Sequence, residues 1–357
     1  MKNIAILGGT RFVGVHLFKA LYKQGYKITL FNRILTPTPF LIPKEIRRIK
    51  GDRNNPNDLN KLFDQEFDVV FDFSCFTPFH ISPIISHHLA KIKHYIFCST
   101  SFVYKMPSPC PIDESSPRLF DKNLYGGKKA LIEDMLLEQF KENAWNVTIF
   151  RPQGIFGPYD AWKAGFVIYR LVESLPIYVL SNQNNRFNPL FVDDFVSACI
   201  KAMDNPISYG KIYGIAGDDH PTAQEFIEIC GNVCDYKPNI KLVEGQDLYL
   251  KNKYGIKWYD HNLVTDNQRV KEDLQIQFTP LHIGLRKTYS WLQDNTQYLK
   301  NYTMTGEKYL LTNKPIPNRI KLIWVTRDTI QIFRRIVASI PYMRKIRSKL
   351  KKFLDLP

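Results

Sequence analysis

The stretch LGGTRFVG, residues 7–14, decides how the chain is expected to fold. It begins at the end of the apolar run NIAIL, residues 3–7, which predicts a buried parallel strand. The next segment, VGVHLFKALYKQG, has apolar residues at helical spacing and a glycine stop, and YKITLFN predicts a second strand. The result is a βαβ unit of about 30 residues, the setting in which a glycine loop binds a dinucleotide.

The same alternation continues along the first half of the chain. Strands are predicted at IRRIKGD, FDVVFDFS, HYIFCST and NVTIFRP, and helices at NPNDLNKLFDQE, ISPIISHHLAKI and KKALIEDMLLEQFKE. This order predicts an α/β fold, a doubly wound parallel sheet of the Rossmann type. We expect a dinucleotide-binding domain at 1–157, a smaller substrate-binding region at 158–300 interleaved with the last strands, and a basic, helical C-terminal extension at 301–357.

The glycine loop offers what a dinucleotide site needs. Its glycines permit close approach of the backbone to a pyrophosphate, and N–H groups open the helix that follows. Where an NAD site normally carries Asp or Glu after the second strand, this sequence has Asn32 and Arg33. Arg11 and Arg33 can pair with a 2′-phosphate, so NADP(H) is favoured and NAD(H) is the alternative. The expected contacts are Gly8, Gly9, Thr10, Arg11, Phe12, Val13, Gly14, Asn32, Arg33 and Asp52.

A second motif, LYGGKKALIEDML, carries Tyr125 and Lys129 one helical turn apart. The ammonium is expected to lie beside the phenol and to lower the pKa of Tyr125. The tyrosine can then exchange a proton with a carbonyl or an alcohol while a nicotinamide exchanges hydride. The fifth strand ends in FCSTSFVY, so a hydroxyl of Ser99, Thr100 or Ser101 is expected at the ligand-binding edge of the sheet.

These motifs together resemble the extended short-chain dehydrogenase/reductase family, the group of nucleotide-sugar epimerases, dehydratases and reductases. The resemblance covers roughly residues 1–295 and rests on LGGTRFVG, GDR, FCSTSFVY, YGGKK, RPQGIFGP and NPLFVDDF. It implies Thr100, Tyr125 and Lys129 as the catalytic residues, because the family hydroxyl stands four residues before a tyrosine such as Tyr104. It also implies cofactor contacts by Arg53, Tyr125, Lys129 and Arg151, and substrate contacts by Thr100, Ser101 and Arg186.

Departures from the family pattern narrow the expected chemistry. Arg11 replaces the middle glycine of the loop, a variant similar to that of chloroplast RNA-binding relatives and many bacterial sugar-nucleotide enzymes. Ser101 and Phe102 stand where family dehydratases carry an Asp-Glu pair, which disfavours 4,6-dehydration. Arg186 lies one residue earlier than the family arginine that often holds the nucleotide diphosphate.

The absence of an Asp or Glu after the second strand favours NADPH over NADH. It therefore favours NADPH-dependent reduction of a 4-keto sugar nucleotide by a Thr-Tyr-Lys mechanism. The alternatives are a nucleotide-sugar C4 epimerase, which usually prefers NAD, and a non-enzymatic RNA-binding relative. Nucleic acid is disfavoured as a partner because the Thr-Tyr-Lys set is intact and the positive charge is concentrated in the tail. The expected partners are a nucleotide-sugar substrate and a second copy of the chain in a homodimer, and no metal is implied.

The basic extension raises the question of a membrane contact. The whole chain has a formal net charge of +15, and residues 301–357 hold 13 Lys or Arg against 3 acids. Apolar residues at helical spacing lie beside this charge, which suits either peripheral contact with anionic lipid or a helix packed on the enzyme. The scattered cysteines indicate a reduced, cytoplasmic protein, with association at the inner face of a membrane as the further expectation.

Overall fold

The computed structural model describes residues 1–34, 38, 41–160, 164–180, 184–243 and 261–298. The strands are β1 (Asn3–Leu7), β2 (Lys27–Asn32), β3 (Arg47–Lys50), β4 (Phe67–Asp72), β5 (Ile92–Cys98), β6 (Asn146–Pro152), β7 (Ile177–Leu180), β8 (Lys211–Ile215) and β9 (Ile240–Val243). The helices are α1 (Val13–Lys23), α2 (Pro56–Leu62), α3 (Pro78–His88), α4 (Tyr125–Asn143), α5 (Ala164–Val172), α6 (Val192–Ala202), α7 (Ala223–Cys234), α8 (Gln268–Leu274) and α9 (Leu281–Asp294).

One parallel sheet forms the centre of the fold, in the strand order β3-β2-β1-β4-β5-β6-β8. Side chains of β1 alternate between two apolar layers. Ile4 and Ile6 pack in the layer that includes α1 and α6, whereas Ala5 and Leu7 pack in the layer that includes α2, α3 and α4. Because both faces are covered there, β1 is apolar from Ile4 to Leu7. The predicted doubly wound Rossmann fold is confirmed.

The carboxyl ends of the central strands meet at one edge of this sheet. Leu7 at the end of β1 lies opposite Asp72 of β4, and Asp72 lies opposite Phe97 of β5. The strand order reverses between β1 and β4, and ligands of open α/β sheets bind at such a reversal. The glycine loop, the segment after β4 and the hydroxyls after β5 therefore surround the same crevice.

The later part of the chain adds a two-stranded parallel sheet of β7 and β9, with α5, α7 and α9 packed together. The chain divides into two compact units, Met1–Thr303 and Met304–Pro357. The boundary expected near residue 157 stays a prediction, and the basic extension at 301–357 lies outside the described residues. Over the described ranges, no helix has both the length and the apolar character needed to cross a membrane.

A buried histidine in β5 makes the fold sensitive to acid. Burial, with a smaller effect from the charge of Lys2, lowers the pKa of His94 from 6.5 to about 3. Its Nε2 lies 2.9 Å from the Thr148 hydroxyl, and its Nδ1 accepts a hydrogen bond from the Asp204 backbone N–H. The unfolded chain protonates this ring below its ordinary pKa, but the folded chain keeps the ring neutral. Stability is therefore lost as the pH falls.

We predict that His94 lowers the free energy of unfolding by up to about 1.4 kcal/mol per pH unit as the pH falls below its ordinary pKa. Urea titrations at about pH 7, 5.5 and 4.5 measure this slope. His94→Gln keeps a polar side chain that does not titrate, so the variant should lose this part of the slope. Equal slopes in the two proteins would show that another group causes the acid sensitivity.

Candidate active site

The loop between β1 and α1 is shaped to receive a pyrophosphate. A Cβ on Gly14 would lie 2.4 Å from the carbonyl oxygen of Gly8 and 2.6 Å from the Cα of Gly9, so only glycine lets α1 begin this close to the strand. The start of α1 consequently stands over the end of β1, where backbone N–H groups can bind an anion. These residues fit the diphosphate of a dinucleotide cofactor.

The residues expected to select the cofactor lie at the end of β2. The Asn32 amide donates a hydrogen bond to the Thr10 hydroxyl at 3.2 Å, which joins this strand end to the glycine loop. Arg11 and Arg33 are the next residues after Thr10 and Asn32, and both are exposed. An exposed arginine therefore directly follows each of the two residues that make this contact. Phe12 and Val13, half-buried, lead from this loop into α1.

The two residues expected to contact the cofactor after β3 have different surroundings. The Asp52 carboxylate accepts hydrogen bonds from the backbone and side-chain nitrogens of Asn54, at 2.9 and 2.8 Å. Arg53 is buried, and its guanidinium forms two 2.8 Å hydrogen bonds with the Asp72 carboxylate. The structure thus gives Arg53 a buried carboxylate as its partner, where the family resemblance implied a cofactor contact.

The three expected catalytic residues come together at the end of β5. The Thr100 hydroxyl lies close enough to the Tyr125 side chain to lower the pKa of its phenol. Lys129 is buried one turn further along α4, with its Nζ 5.9 Å from the centre of the Tyr125 ring. A Cβ on Gly126 would lie 1.8 Å from the carbonyl oxygen of Phe102, so glycine is needed for α4 to begin beside Thr100. The arrangement supports proton transfer at Tyr125.

The pKa of Tyr125 corrects one expectation. Burial and the nearby Cys98 side chain raise it to about 12, against the lowering effect of the hydrogen bond with Thr100. The Lys129 ammonium donates to the Cys98 carbonyl oxygen at 2.7 Å, and burial lowers the pKa of Lys129. Because burial dominates both groups, the tyrosine keeps its proton at neutral pH and can act as an acid.

A buried carboxylate fastens these catalytic elements to one another. Glu133 follows Lys129 by one turn of α4 and is fully buried. It accepts a 2.5 Å hydrogen bond from the Ser99 hydroxyl, and Arg151 of β6 donates to it from Nε and Nη2, the latter at 2.7 Å. Arg118 adds a contact at 3.3 Å. The resemblance implied a cofactor contact for Arg151; the structure gives this residue the Glu133 carboxylate as its partner, and the cofactor contact stays a prediction.

The two further residues implied as substrate contacts lie in different places. Ser101 is buried in the turn directly after Thr100. Arg186 is exposed, where its Nη1 lies 3.0 Å from a Glu225 carboxylate oxygen and donates to the His220 carbonyl at 2.6 Å. The structure therefore brings Ser101 to the catalytic residues and gives Arg186 partners near the start of α7.

Two functional candidates were missed in the sequence, although each left a signal. Glu133 stands at helical spacing from Tyr125 and Lys129, which places it on the same face of α4. Asp72 ends the apolar strand FDVVFD, where a buried acid requires a partner. Neither signal identifies the partner of the acid, because Arg151 and Arg53 lie on other elements of the fold.

The sequence model of the NAD dependent epimerase/dehydratase family matches residues 4–78 and 84–216. These ranges contain the glycine loop, Thr100, Tyr125 and Lys129, and they cover more than half of the chain. The chain belongs to this family. The expected membership of the extended short-chain dehydrogenase/reductase group, and with it the class of NAD(P)-dependent nucleotide-sugar enzymes, is confirmed.

Individual relatives differ in what their names describe. The chloroplast stem-loop binding protein of 41 kDa b of Arabidopsis thaliana is 28% identical over 331 residues, 88% of this chain and 85% of that protein. Putative UDP-arabinose 4-epimerase 2 of the same plant is 23% identical over 350 residues, 82% of this chain and 80% of that protein. The structure of UDP-glucose 4-epimerase with UDP-glucose from Thermotoga maritima has a TM-score of 0.70 at 17% identity, covering 82% of this chain and 99% of that one.

We predict that Glu133→Ala destabilises the protein by about 3–5 kcal/mol, because it leaves the buried Arg151 guanidinium without its partner. The free energy of unfolding in urea measures the loss. Glu138→Ala, an exposed change on the same helix, should cost less than about 0.5 kcal/mol. Similar losses in both variants would contradict a special role for the Glu133 carboxylate.

Proposed function

We propose that this chain reduces the C4 carbonyl of a 4-keto sugar nucleotide with NADPH. The observation that carries the proposal is the grouping of Thr100, Tyr125 and the buried Lys129 beside a cofactor loop whose neighbouring strand β2 is followed by Arg33, where an NAD site carries a carboxylate. Reduction of a ketone needs an acid at the carbonyl oxygen, and a phenol that keeps its proton at neutral pH can serve as that acid.

In the proposed reaction, Oη of Tyr125 gives its proton to the carbonyl oxygen as that oxygen gains negative charge. The Thr100 hydroxyl, which lies beside the tyrosine, donates to the same oxygen and orients it. The Lys129 ammonium, held by the Cys98 carbonyl, stabilises the phenolate that remains. A bound NADPH supplies the hydride. Ser101 and Phe102 after Thr100 lack the acid and base groups that a dehydration would need.

The choice of cofactor is proposed to depend on Arg11 and Arg33. Both are exposed beside the Thr10–Asn32 contact, and no carboxylate ends β2 to hold a ribose diol. A 2′-phosphate would receive charge-assisted hydrogen bonds from these guanidinium groups. NADPH is also the usual cofactor of a reductive step, so the cofactor and the direction of the reaction support each other.

A nucleotide-sugar 4-epimerase is the second candidate. Two of the similar proteins carry 4-epimerase names, and NAD(H) would then be the cofactor. An epimerase must oxidise the sugar before it reduces it, so Tyr125 would have to act first as a base. The exposed Arg11 and Arg33, with no carboxylate at the end of β2, favour NADPH and hence the reductase.

Binding of stem-loop RNA without catalysis is the third candidate. It is motivated by the relative of 41 kDa, whose name describes stem-loop binding. The glycine loop and the proximity of the Thr100, Tyr125 and Lys129 side chains favour an enzyme.

The assembly of the enzyme is proposed from the family resemblance and the charge of the chain. We propose a homodimer in the cytoplasm, with the basic extension at 301–357 touching anionic lipid at the inner face of a membrane. The extension lies outside the described residues, and its apolar and basic pattern is what supports the contact.

Fluorescence titration with NADPH and with NADH tests the proposed cofactor choice. The wild type should prefer NADPH, and Arg33→Ala should weaken NADPH binding by about ten- to a hundredfold, the value of a charge-assisted hydrogen bond. The affinity for NADH should change less than about twofold, because NADH has no 2′-phosphate. Arg48→Ala, an exposed arginine of β3, is the matched control and should leave both affinities unchanged.

Three other outcomes would redirect the proposal. Preference for NADH with no effect of Arg33→Ala would favour the epimerase. Binding of a stem-loop RNA, by a chain that binds neither nicotinamide cofactor, would favour the third candidate. Equal weakening of NADPH and NADH in the variant would show that Arg33 supports the loop and does not select the phosphate.

A further inference from the structure

The segment after β4, residues 73–80, is held by a buried ion pair that the proposed mechanism does not use. Arg53 and Asp72 are 7% and 0% exposed, and two 2.8 Å hydrogen bonds join the guanidinium to the carboxylate. The same guanidinium donates from Nη1 to the Ser74 hydroxyl at 3.0 Å and from Nη2 to the His80 carbonyl at 2.9 Å. Arg53 therefore contacts both ends of the segment.

The Asp72 carboxylate also binds this segment, through a hydrogen bond with the backbone of Ser74. It accepts a 2.8 Å hydrogen bond from the Ser74 backbone N–H and a 2.5 Å hydrogen bond from the Tyr95 hydroxyl of β5. Burial alone raises the pKa of a carboxyl, but here the charge and hydrogen bonds of Arg53 outweigh it and lower the pKa of Asp72. The group is an anion whose hydrogen-bonding capacity is filled by neighbouring parts of the crevice wall.

One end of the segment touches the glycine loop. A Cβ built on Gly8 would lie 3.3 Å from the Cβ of Ser74 and 3.5 Å from that of Phe73. The Phe73 backbone N–H also donates to the Leu7 carbonyl at 3.0 Å. The wall behind the expected pyrophosphate site is therefore built from the residues that Arg53 and Asp72 hold.

The other end of the segment reaches the catalytic lysine. The Phe76 backbone N–H donates to Nδ1 of His80 at 3.0 Å, and the Phe76 ring centre lies 5.2 Å from the Nζ of Lys129. Phe76 is also 47% exposed, which is unusual for a phenylalanine beside a fully buried ammonium, so its ring borders the crevice. One buried ion pair thus sets the positions of a wall that runs from the glycine loop to Lys129.

We propose that Arg53 and Asp72 are positioning residues for the nicotinamide cofactor, holding residues 73–80 as the wall between the glycine loop and Lys129. The inference rests on the proposed function, because it requires such a cofactor in the crevice. Neither side chain touches the cofactor. They act through Ser74 and Phe76, so their loss should weaken cofactor binding even in a protein that remains folded.

The test compares NADPH binding with folding stability in the full chain. Asp72→Asn alone leaves a buried guanidinium unpaired and should destabilise the fold strongly. The double variant R53M/D72N removes both charges; its asparagine oxygen can still accept from the Ser74 N–H, and its NH2 group can donate to the Tyr95 hydroxyl oxygen. We expect it to recover most of the stability but to bind NADPH about tenfold more weakly than the wild type, since the wall is no longer held. Arg53→Lys keeps one charge-assisted contact, so its affinity for NADPH should lie between those of the wild type and R53M/D72N.

The control uses a second arginine–aspartate ion pair, whose arginine lies on β3, the strand before Arg53. This pair lies at the protein surface. Arg47 donates to the Asp64 carboxylate from Nη1 and Nη2, and to the Lys61 carbonyl from Nη2. The variant R47M/D64N should bind NADPH as the wild type does.

Each outcome decides between distinct conclusions. Wild-type affinity for NADPH in folded R53M/D72N would overturn the positioning role and leave the proposed function standing. Equal weakening in R53M/D72N and R47M/D64N would overturn the role too, because the loss would then not be specific to the wall. A wild type that binds neither NADPH nor NADH would overturn the proposed function, and the positioning role with it.

Discussion

The ion pair between Glu133 and Arg151 is the interaction on which the candidate active site depends. It fastens α4, the helix that carries Tyr125 and Lys129, to β6 of the central sheet. The Ser99 hydroxyl donates to the same carboxylate, which fixes the position of the neighbouring Thr100 relative to Tyr125. The catalytic groups lie on two elements of the fold, and this one carboxylate sets the distance between them.

A second buried pair, Arg53 with Asp72, holds the wall of the crevice after β4. The two pairs differ from the ammonium of Lys129, which donates a hydrogen bond to the backbone carbonyl of Cys98. Each arginine is matched by a full negative charge, but the lysine has only a dipole, and burial accordingly lowers its pKa. A cation held in this way gains most when a negative charge develops beside it, as on the tyrosine after proton transfer.

The fold was largely predictable because its signals are local. The apolar strand before Gly8, the helical spacing after Gly14 and the Tyr125–Lys129 spacing each lie within a short segment. Partners brought together by folding were not predictable. The motifs marked Arg53 and Arg151 as cofactor contacts, but their carboxylates lie 19 and 18 residues away along the chain, on elements whose contact depends on sheet order. The expected lowering of the Tyr125 pKa was wrong for the same reason, since burial and the neighbouring Cys98, which raise this pKa, depend on the tertiary fold.

The most direct test follows the hydride itself. The protein is incubated with a 4-keto sugar nucleotide and NADPH deuterated at both C4 positions of the nicotinamide ring, and the product is analysed by mass spectrometry. The account predicts one deuterium at C4 of the sugar for each NADPH oxidised, with the rate reduced at least about a hundredfold in Tyr125→Phe. No oxidation of NADPH with the 4-keto sugar, together with inversion at C4 of a 4-hydroxy sugar nucleotide in the presence of NAD, would contradict it and identify an epimerase.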